Sequence, residues 1–296
     1  MKTPASTRPE IHKVLSIICS LCRVHTVYLI GQQNITKDCL YSSSSSLNIS
    51  RKPRIRSVLT MLIISHDQVA DPKIFMNEVF NKTQEQVTLY AIHYTLNEAN
   101  NSINYGSNFL NRVLVEGALL YSEDNRLRQL GTYLYHPKVF LRIQKHWNKR
   151  LEHACYFEEK STICEDNPNN QGRYLLLQQA IQQACLGLIY VFWEYQPSYY
   201  SLPYLLHFCE QFSEIPKIIY PQKSFRSQQV YSRLCHAQYN LNEKIQAAPS
   251  ESDSLKAEHL TYKFIQAARK EADKKLEELK KLHLKKANHE KKDQQA

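Results

Sequence analysis

Glycine is scarce in this chain, accounting for only 6 of its 296 residues. Together with long segments rich in leucine, glutamine and lysine, this scarcity favours helical structure. No apolar run reaches the length of a membrane span, because two glutamine pairs, at 178–179 and 182–183, interrupt the most apolar segment. A chain of this length can build two hydrophobic cores, so we expect two globular domains.

Signals for export are also lacking. The stretch MKTPASTRPEIHK at the start of the sequence has no apolar core next to its basic residues, so no signal peptide is expected. The eight cysteines are scattered, mostly inside apolar segments, which predicts reduced thiols rather than a disulfide framework. We therefore expect a cytoplasmic protein.

The net charge of +10 is unevenly distributed. Residues 254–296 hold 12 Lys/Arg and 7 Asp/Glu, a net charge of +5, which leaves +5 for the other 253 residues. The main part of the chain is therefore only mildly basic. That balance suits an acidic partner such as RNA or a nucleotide, and it equally suits simple solubility.

Strand and helix signals alternate in the first part of the chain. Apolar runs at 26–31, 57–65, 87–94 and 118–121 are typical of strands, and amphipathic segments separate them. The alternation predicts a small α/β domain with a mixed sheet over residues 9–122.

Strand signals almost vanish after Val139. Long helical patterns punctuated by prolines predict an all-helical bundle over 139–283, joined to the first domain by a linker at 123–138. Residues 284–296 are expected to form a disordered basic tail. The predicted fold class is α+β, with a small α/β domain followed by a helical bundle.

One predicted helix of this bundle, RYLLLQQAIQQACLGLIYVFWE, combines polar and apolar surfaces. Its four glutamines cover one arc of the helix, and the opposite arc is apolar. Beyond Ala184 the helix is apolar all round, which predicts central burial. The glutamine arc is expected to meet water, a ligand or a second subunit.

The chain over 140–245 resembles a HEPN domain. In that family a helix with the pattern L-H-Q-A-x-E-x-A-x-K-A precedes a His-Asn-Leu turn, and a later helix carries A-x-x-D-A-R-Y. Residues 177–180 (LQQA), 200–202 (YSL) and 236–239 (HAQY) match these motifs in spacing. The polar positions differ, with Gln178, Gln182 and Gln238 in place of the family's His, Glu and Arg.

The first domain resembles the nucleotidyltransferase domains that often accompany HEPN domains, through the order of its elements over 26–122. Together the resemblances imply a homodimer formed through the helical bundle, with a shared cleft that binds RNA or a nucleotide. Amides would contact a base or ribose, and arginines would hold phosphate. The expected binding residues are Arg173, Gln178, Gln182, Arg233, His236, Gln238 and Tyr239.

Neither family's catalytic residues are complete. Nucleotidyltransferases hold two metal ions between carboxylates, but the predicted strand 57–65 contains no acid, and strand 87–94 offers only His93. Asp38 and Asp67 are the remaining acids near these elements, and two isolated carboxylates cannot hold two divalent ions. We therefore expect no catalysis, no metal and no cofactor in this domain.

Two alternatives to a non-catalytic binding protein remain open. HEPN ribonucleases use an Arg followed after four to six residues by a His, and none of the twelve histidines here has that spacing. Arg233 and His236 lie one helical turn apart and supply the two residue types that a metal-independent ribonuclease needs. The other alternative is a purely structural protein–protein interaction module.

Two further patterns have simpler interpretations. The Cys19-x-x-Cys22-x-x-His25 series has metal-ligand residue types, but no second pair follows it, and thiols on an amphipathic helix are commonly buried. The lysine-rich C-terminal helix pairs Glu271 with Lys275 at i,i+4, as exposed helices do, and nucleic-acid contact there is the alternative.

Overall fold

The computed structural model describes residues 8–37, 54–129, 133–166, 171–243 and 249–293. The chain divides into two units, Met1–Tyr133 and Leu134–Ala296. We call them the N-terminal and C-terminal units.

A four-stranded sheet organises the N-terminal unit, with strand order β3-β2-β1-β4. Strands β2 and β3 are parallel, whereas β1 is antiparallel to both β2 and β4, so the mixed sheet and the four predicted strands are confirmed. The elements are α1 (Arg8–Leu21), β1 (Val24–Lys37), β2 (Arg54–Ser65), α2 (Pro72–Lys82), β3 (Val87–Thr95), α3 (Leu96–Asn104), α4 (Asn108–Glu116), β4 (Ala118–Ser122) and α5 (Arg126–Gln129).

Strand β2 is buried on both faces, which explains its continuous apolar sequence. Leu59, Met61 and Ile63 face a core formed with α1 and α2, and the alternate residues Leu62 and Ile64 are equally buried. A strand covered on both faces carries no polar alternation.

Side-chain caps fix where the helices of this unit begin. Asp71 accepts hydrogen bonds from the first backbone N–H groups of α2, and the side chain of Ser107 accepts one from the backbone N–H of Leu110 in α4. Helix α3 was not predicted, because LNEANNSIN has few apolar residues. Its start is set by a capping box in which Thr95 and Glu98 bond each other's backbone N–H groups.

The C-terminal unit contains helices and no strand among its described residues, which confirms the predicted helical character of this half. A 3₁₀ turn, Ile163–Asp166, follows the first helix. The helices are α6 (Pro137–Thr162), α7 (Gln171–Trp193), α8 (Leu202–Cys209), α9 (Ile215–Ile219), α10 (Phe225–Cys235), α11 (Ala237–Glu243) and α12 (Glu251–Asp293).

Helix α7 is the central helix of this unit and packs against both α6 and α12. Every residue from Ala184 to Ile189 is buried, as predicted from the all-round apolar sequence. By length and composition α7 is the one described helix that could cross a membrane, and 61% of its most apolar window is buried inside the protein.

Two helix boundaries differ from the sequence-based expectation. The sequence from Phe225 to Ile245 has one continuous helical pattern, but α10 ends at Cys235 and α11 begins at Ala237. No glycine or proline marks this break in the sequence. Helix α12 continues to Asp293, into the predicted tail, because the lysine, glutamate and alanine residues there are good helix formers.

Helices α6 and α7 approach each other closely at Gly187. A Cβ atom on Gly187 would lie 2.7 Å from a ring carbon of Trp147 and 3.2 Å from the Cβ of Arg150. Trp147 is 1% exposed and cannot move aside. The absence of a side chain at Gly187 therefore sets the separation of α6 and α7.

We predict that Gly187→Ala lowers the free energy of unfolding of the C-terminal unit by about 1–3 kcal/mol, as expected for an overpacked helix contact. Both tryptophans, Trp147 and Trp193, lie in this unit, so urea unfolding followed by their fluorescence reports on it. Gly172→Ala is the matched control, since a Cβ there meets nothing within 4 Å. Equal effects of the two substitutions would contradict this interpretation of the contact.

Candidate functional site

Two of the predicted binding arginines meet at the first turn of α12. The Nη1 of Arg173 lies 3.1 Å from the Oε1 of Glu251. Asp253 receives a 2.7 Å hydrogen bond from the Nε of Arg226 and lies 3.9 Å from the Nη1 of Arg233. We call these five residues, from α7, α10 and α12, the arginine node.

The carboxylates of the arginine node partly neutralise its arginines. Burial alone would raise the pKa of Asp253, but hydrogen bonds from Arg226 and Ser250 and the charges of Arg226 and Arg233 outweigh burial and hold that pKa below its usual value. Arg173 is fully buried. The node therefore joins three helices of the unit through charge pairs.

The predicted glutamines are also engaged within the unit. Gln178 is 4% exposed, and its Nε2 donates a 3.1 Å hydrogen bond to the carbonyl of Cys235 at the end of α10. The Nε2 of Gln182 donates a 2.8 Å hydrogen bond to the carbonyl of Tyr200. These amides connect α7 to its neighbours.

The remaining predicted residues lie at the α10–α11 break. His236, Gln238 and Tyr239 are exposed, and the Nδ1 of His236 lies 2.8 Å from the carbonyl of Ser232. Arg233 faces Asp253 instead. The binding role of the seven predicted residues stays a prediction. Arg173 and Arg233 lie in the arginine node, and His236, Gln238 and Tyr239 lie at the α10–α11 break.

A second cluster, which the sequence analysis did not identify as a site, lies where α6 packs against α7. It combines basic, aromatic and amide side chains, and we call it the α6–α7 face. Its members are Arg142, His146, Lys149 and Arg150 of α6, and Gln183 and Tyr190 of α7.

The rings of His146 and Tyr190 form the centre of the α6–α7 face. They stack with centroids 4.0 Å apart and an interplanar angle of 18°. Burial raises the pKa of Tyr190, while the charge and hydrogen bond of Arg142 oppose that increase. Arg142 is therefore held beside the ring pair.

Arg150 connects the two helices across this face. Its Nη1 donates a 2.7 Å hydrogen bond to the Oε1 of Gln183, and its Nε donates a 3.4 Å hydrogen bond to the Nε2 of His146. His146 thus accepts at Nε2. Burial, followed by the charges of Arg150 and Lys149, lowers the pKa of His146 to about 4, so the imidazole is neutral near pH 7.

Helical spacing is the sequence signal that could have identified this face. Arg142, His146 and Arg150 recur at intervals of four residues and therefore share one side of α6. Gln183 and Tyr190 are seven residues apart, which also places them on one side of α7. The sequence does not show that these sides of α6 and α7 face each other in the fold.

The N-terminal unit contains two histidine–carboxylate pairs at the strand ends. The Nε2 of His25 lies 3.5 Å from the Oδ1 of Asp124, and the Nε2 of His66 lies 2.7 Å from the Oε2 of Glu123. Among the residues that the structure describes, no group of three His, Cys, Asp or Glu side chains could hold a metal ion.

Of the two acids considered for nucleotidyl transfer, only Asp67 lies within the described residues. Asp67 is exposed and follows β2, and Asp38 lies outside the described residues. The Nε2 of His93 lies 2.7 Å from the Oγ of Ser65, and burial lowers the pKa of His93. Burial also raises the pKa of Cys22 to about 11, so this thiol favours its neutral form.

No family model matches the chain, and no curated protein matches it. Among solved structures, a nucleotidyltransferase-like protein from Exiguobacterium sibiricum is similar at 11% sequence identity, over 90% of this chain and 76% of that chain. The TM-score is 0.27, so the similarity carries no argument about fold or activity.

We predict that Asp253→Asn destabilises the C-terminal unit by roughly 1 kcal/mol near pH 7, because Arg226 is half exposed and solvent weakens the pair. A carboxyl whose pKa is lowered on folding stabilises the protein above its unfolded pKa, and the effect is lost as pH falls through the folded pKa. The difference between wild type and variant should therefore shrink below about pH 4. Urea unfolding at several pH values measures it.

Asp273→Asn is the matched control for this experiment, because Asp273 is an exposed acid on the same helix. It should change stability little at any pH. A pH-independent loss in Asp253→Asn would show that the carboxylate charge contributes nothing to the node.

We also predict that the protein transfers no nucleotide, because no group of three His, Cys, Asp or Glu side chains among the described residues could hold a metal ion. The test is incubation with labelled ATP or GTP, Mg²⁺ or Mn²⁺, and candidate acceptors. Incorporation of label that Asp67→Ala abolishes would contradict this prediction.

Proposed function

We propose that this protein is a non-catalytic binding protein for RNA or a nucleotide and that the ligand occupies the α6–α7 face. The observation that carries the proposal is that the cations of this face form no ion pair with a described carboxylate. Among the described residues, no carboxylate lies within 4.0 Å of the charged nitrogens of Arg142, Lys149 or Arg150. An anion can therefore approach them without displacing an existing ion pair.

The arginine node supports this choice by contrast. There, Glu251 and Asp253 already occupy positions where a phosphate would bind. A ligand would have to compete with two carboxylates and reach the fully buried Arg173. The node is better explained as a connection between helices than as a binding cleft.

The chemistry of the α6–α7 face suits a phosphate next to a base. Guanidinium and ammonium groups bind phosphate oxygens, and stacked aromatic rings are the surfaces on which unpaired bases stack. The amide of Gln183 keeps its NH₂ donors while its oxygen accepts from Arg150. RNA and free nucleotides share this chemistry, so both are tested below.

The resemblance to HEPN domains supports a homodimer formed through the helical bundle, and we include that dimer in the proposal. Light scattering coupled to gel filtration measures the mass of the particle. The ribonuclease alternative has less support, because Arg233 faces Asp253 and His236 is bonded to its own helix.

We predict that Arg142→Gln and Arg150→Gln each weaken binding of a short fluorescent oligouridylate by about tenfold, or ~1.4 kcal/mol. Each lost phosphate contact should also reduce the slope of log K against log salt concentration by about 0.7. Fluorescence anisotropy over a salt series measures both quantities. Competition with uridine monophosphate distinguishes a free-nucleotide site from an RNA site.

Two control variants separate the possible outcomes. Lys217→Gln removes an exposed cation on α9 and should leave binding unchanged. Arg233→Gln tests the arginine node directly. Loss of binding in Arg233→Gln, with Arg142→Gln and Arg150→Gln unaffected, would transfer the site to the node and overturn the proposal.

A further inference from the structure

We propose that His146 takes up a proton when a phosphodiester binds the α6–α7 face, so that affinity for RNA rises as pH falls from neutrality. This inference rests on the proposed function and adds its regulation by pH. The imidazole stacks on the ring of Tyr190 and accepts a hydrogen bond at its Nε2 from the guanidinium of Arg150.

The groups around this imidazole come from both helices. Helix α6 contributes Lys149 and Arg150, whose charges act on it, and α7 contributes the ring of Tyr190 that stacks on it. Arg142 acts on Tyr190, and Gln183 bonds Arg150. Glu194, the residue that follows α7, is the acid that acts on Tyr190. The charges that act on His146 itself, those of Arg150 and Lys149, are both positive.

In the unbound protein, burial keeps the imidazole neutral, and the charges of Arg150 and Lys149 act in the same direction. Its Nε2 accepts the hydrogen bond from the Nε of Arg150, so a proton at that nitrogen would face a guanidinium N–H. The lowered pKa, about 4, agrees with this geometry.

A bound phosphodiester opposes the contribution of the cations. Its negative charge, held between Arg142, Lys149 and Arg150, offsets the repulsion that opposes protonation of His146. Once Arg150 turns its Nε–H to the phosphate, the Nε2 of His146 can carry a proton and donate to a phosphate oxygen. The proton comes from solvent, and the imidazolium adds a charge-assisted hydrogen bond to the complex.

Linkage fixes the sign of the pH effect. A group whose pKa is higher in the complex than in the unbound protein takes up protons on binding, so affinity increases as pH falls between the two pKa values. With one proton, the increase is at most about tenfold per pH unit. High pH therefore favours release of the ligand.

Oligouridylate is the appropriate probe, because its internal phosphodiesters and its uracils do not titrate between about pH 5 and 8. Any proton taken up on binding in that range is therefore bound by the protein. Calorimetric titrations near pH 6 in two buffers of different ionisation enthalpy give the number of protons bound. We expect a positive uptake of up to one proton for wild type and almost none for His146→Gln, whose amide hydrogen-bonds without titrating. His259→Gln, which removes an exposed histidine of α12, should keep the wild-type uptake.

Each outcome decides between the two proposals. Binding without proton uptake by wild type would overturn this inference and leave the proposed function intact. Absence of binding at every pH would overturn both. If His146→Gln does not fold, titration of the histidine ring resonances of wild type replaces it, and a His146 pKa that does not rise on adding oligouridylate refutes the inference.

Discussion

The contact between Gly187 and Trp147 is the constraint on which the C-terminal unit depends. Because Gly187 has no side chain, α6 and α7 approach until the Trp147 ring fills the gap and the Cβ of Arg150 lies beside α7. From there the Arg150 guanidinium reaches Gln183, one helical turn before Gly187, and contacts His146 on its own helix. The buried packing and the polar α6–α7 face thus have one geometric origin.

Arginines serve two purposes in this unit, and the chemistry of their partners decides which one. In the arginine node, Arg173 and Arg226 pair with carboxylates of α12, and the result is a connection between helices. On the α6–α7 face, Arg150 bonds a neutral amide and a neutral imidazole, so its full charge is retained. An anionic ligand gains more from the second environment, because it need not break an existing ion pair.

Local sequence predicted the elements better than it predicted the site. The apolar run of β2, the Ser107 cap and the burial beyond Ala184 follow from patterns within one element, and the structure contains all three. The end of α10 at Cys235 has no glycine or proline to mark it. Arg173 and Glu251 are 78 positions apart in the sequence, so the helical pattern around either residue does not predict that the two pair.

Photochemical crosslinking tests the central claim most directly, because it reports the position of the ligand without any substitution. An oligouridylate carrying 4-thiouridine is bound, irradiated and digested together with the protein, and the crosslinked peptides are identified by mass spectrometry. The proposal predicts crosslinks on peptides from α6 and α7 that contain His146 or Tyr190, suppressed at high salt. Crosslinks confined to the α10–α11 break around Tyr239, or to the N-terminal unit, would contradict it.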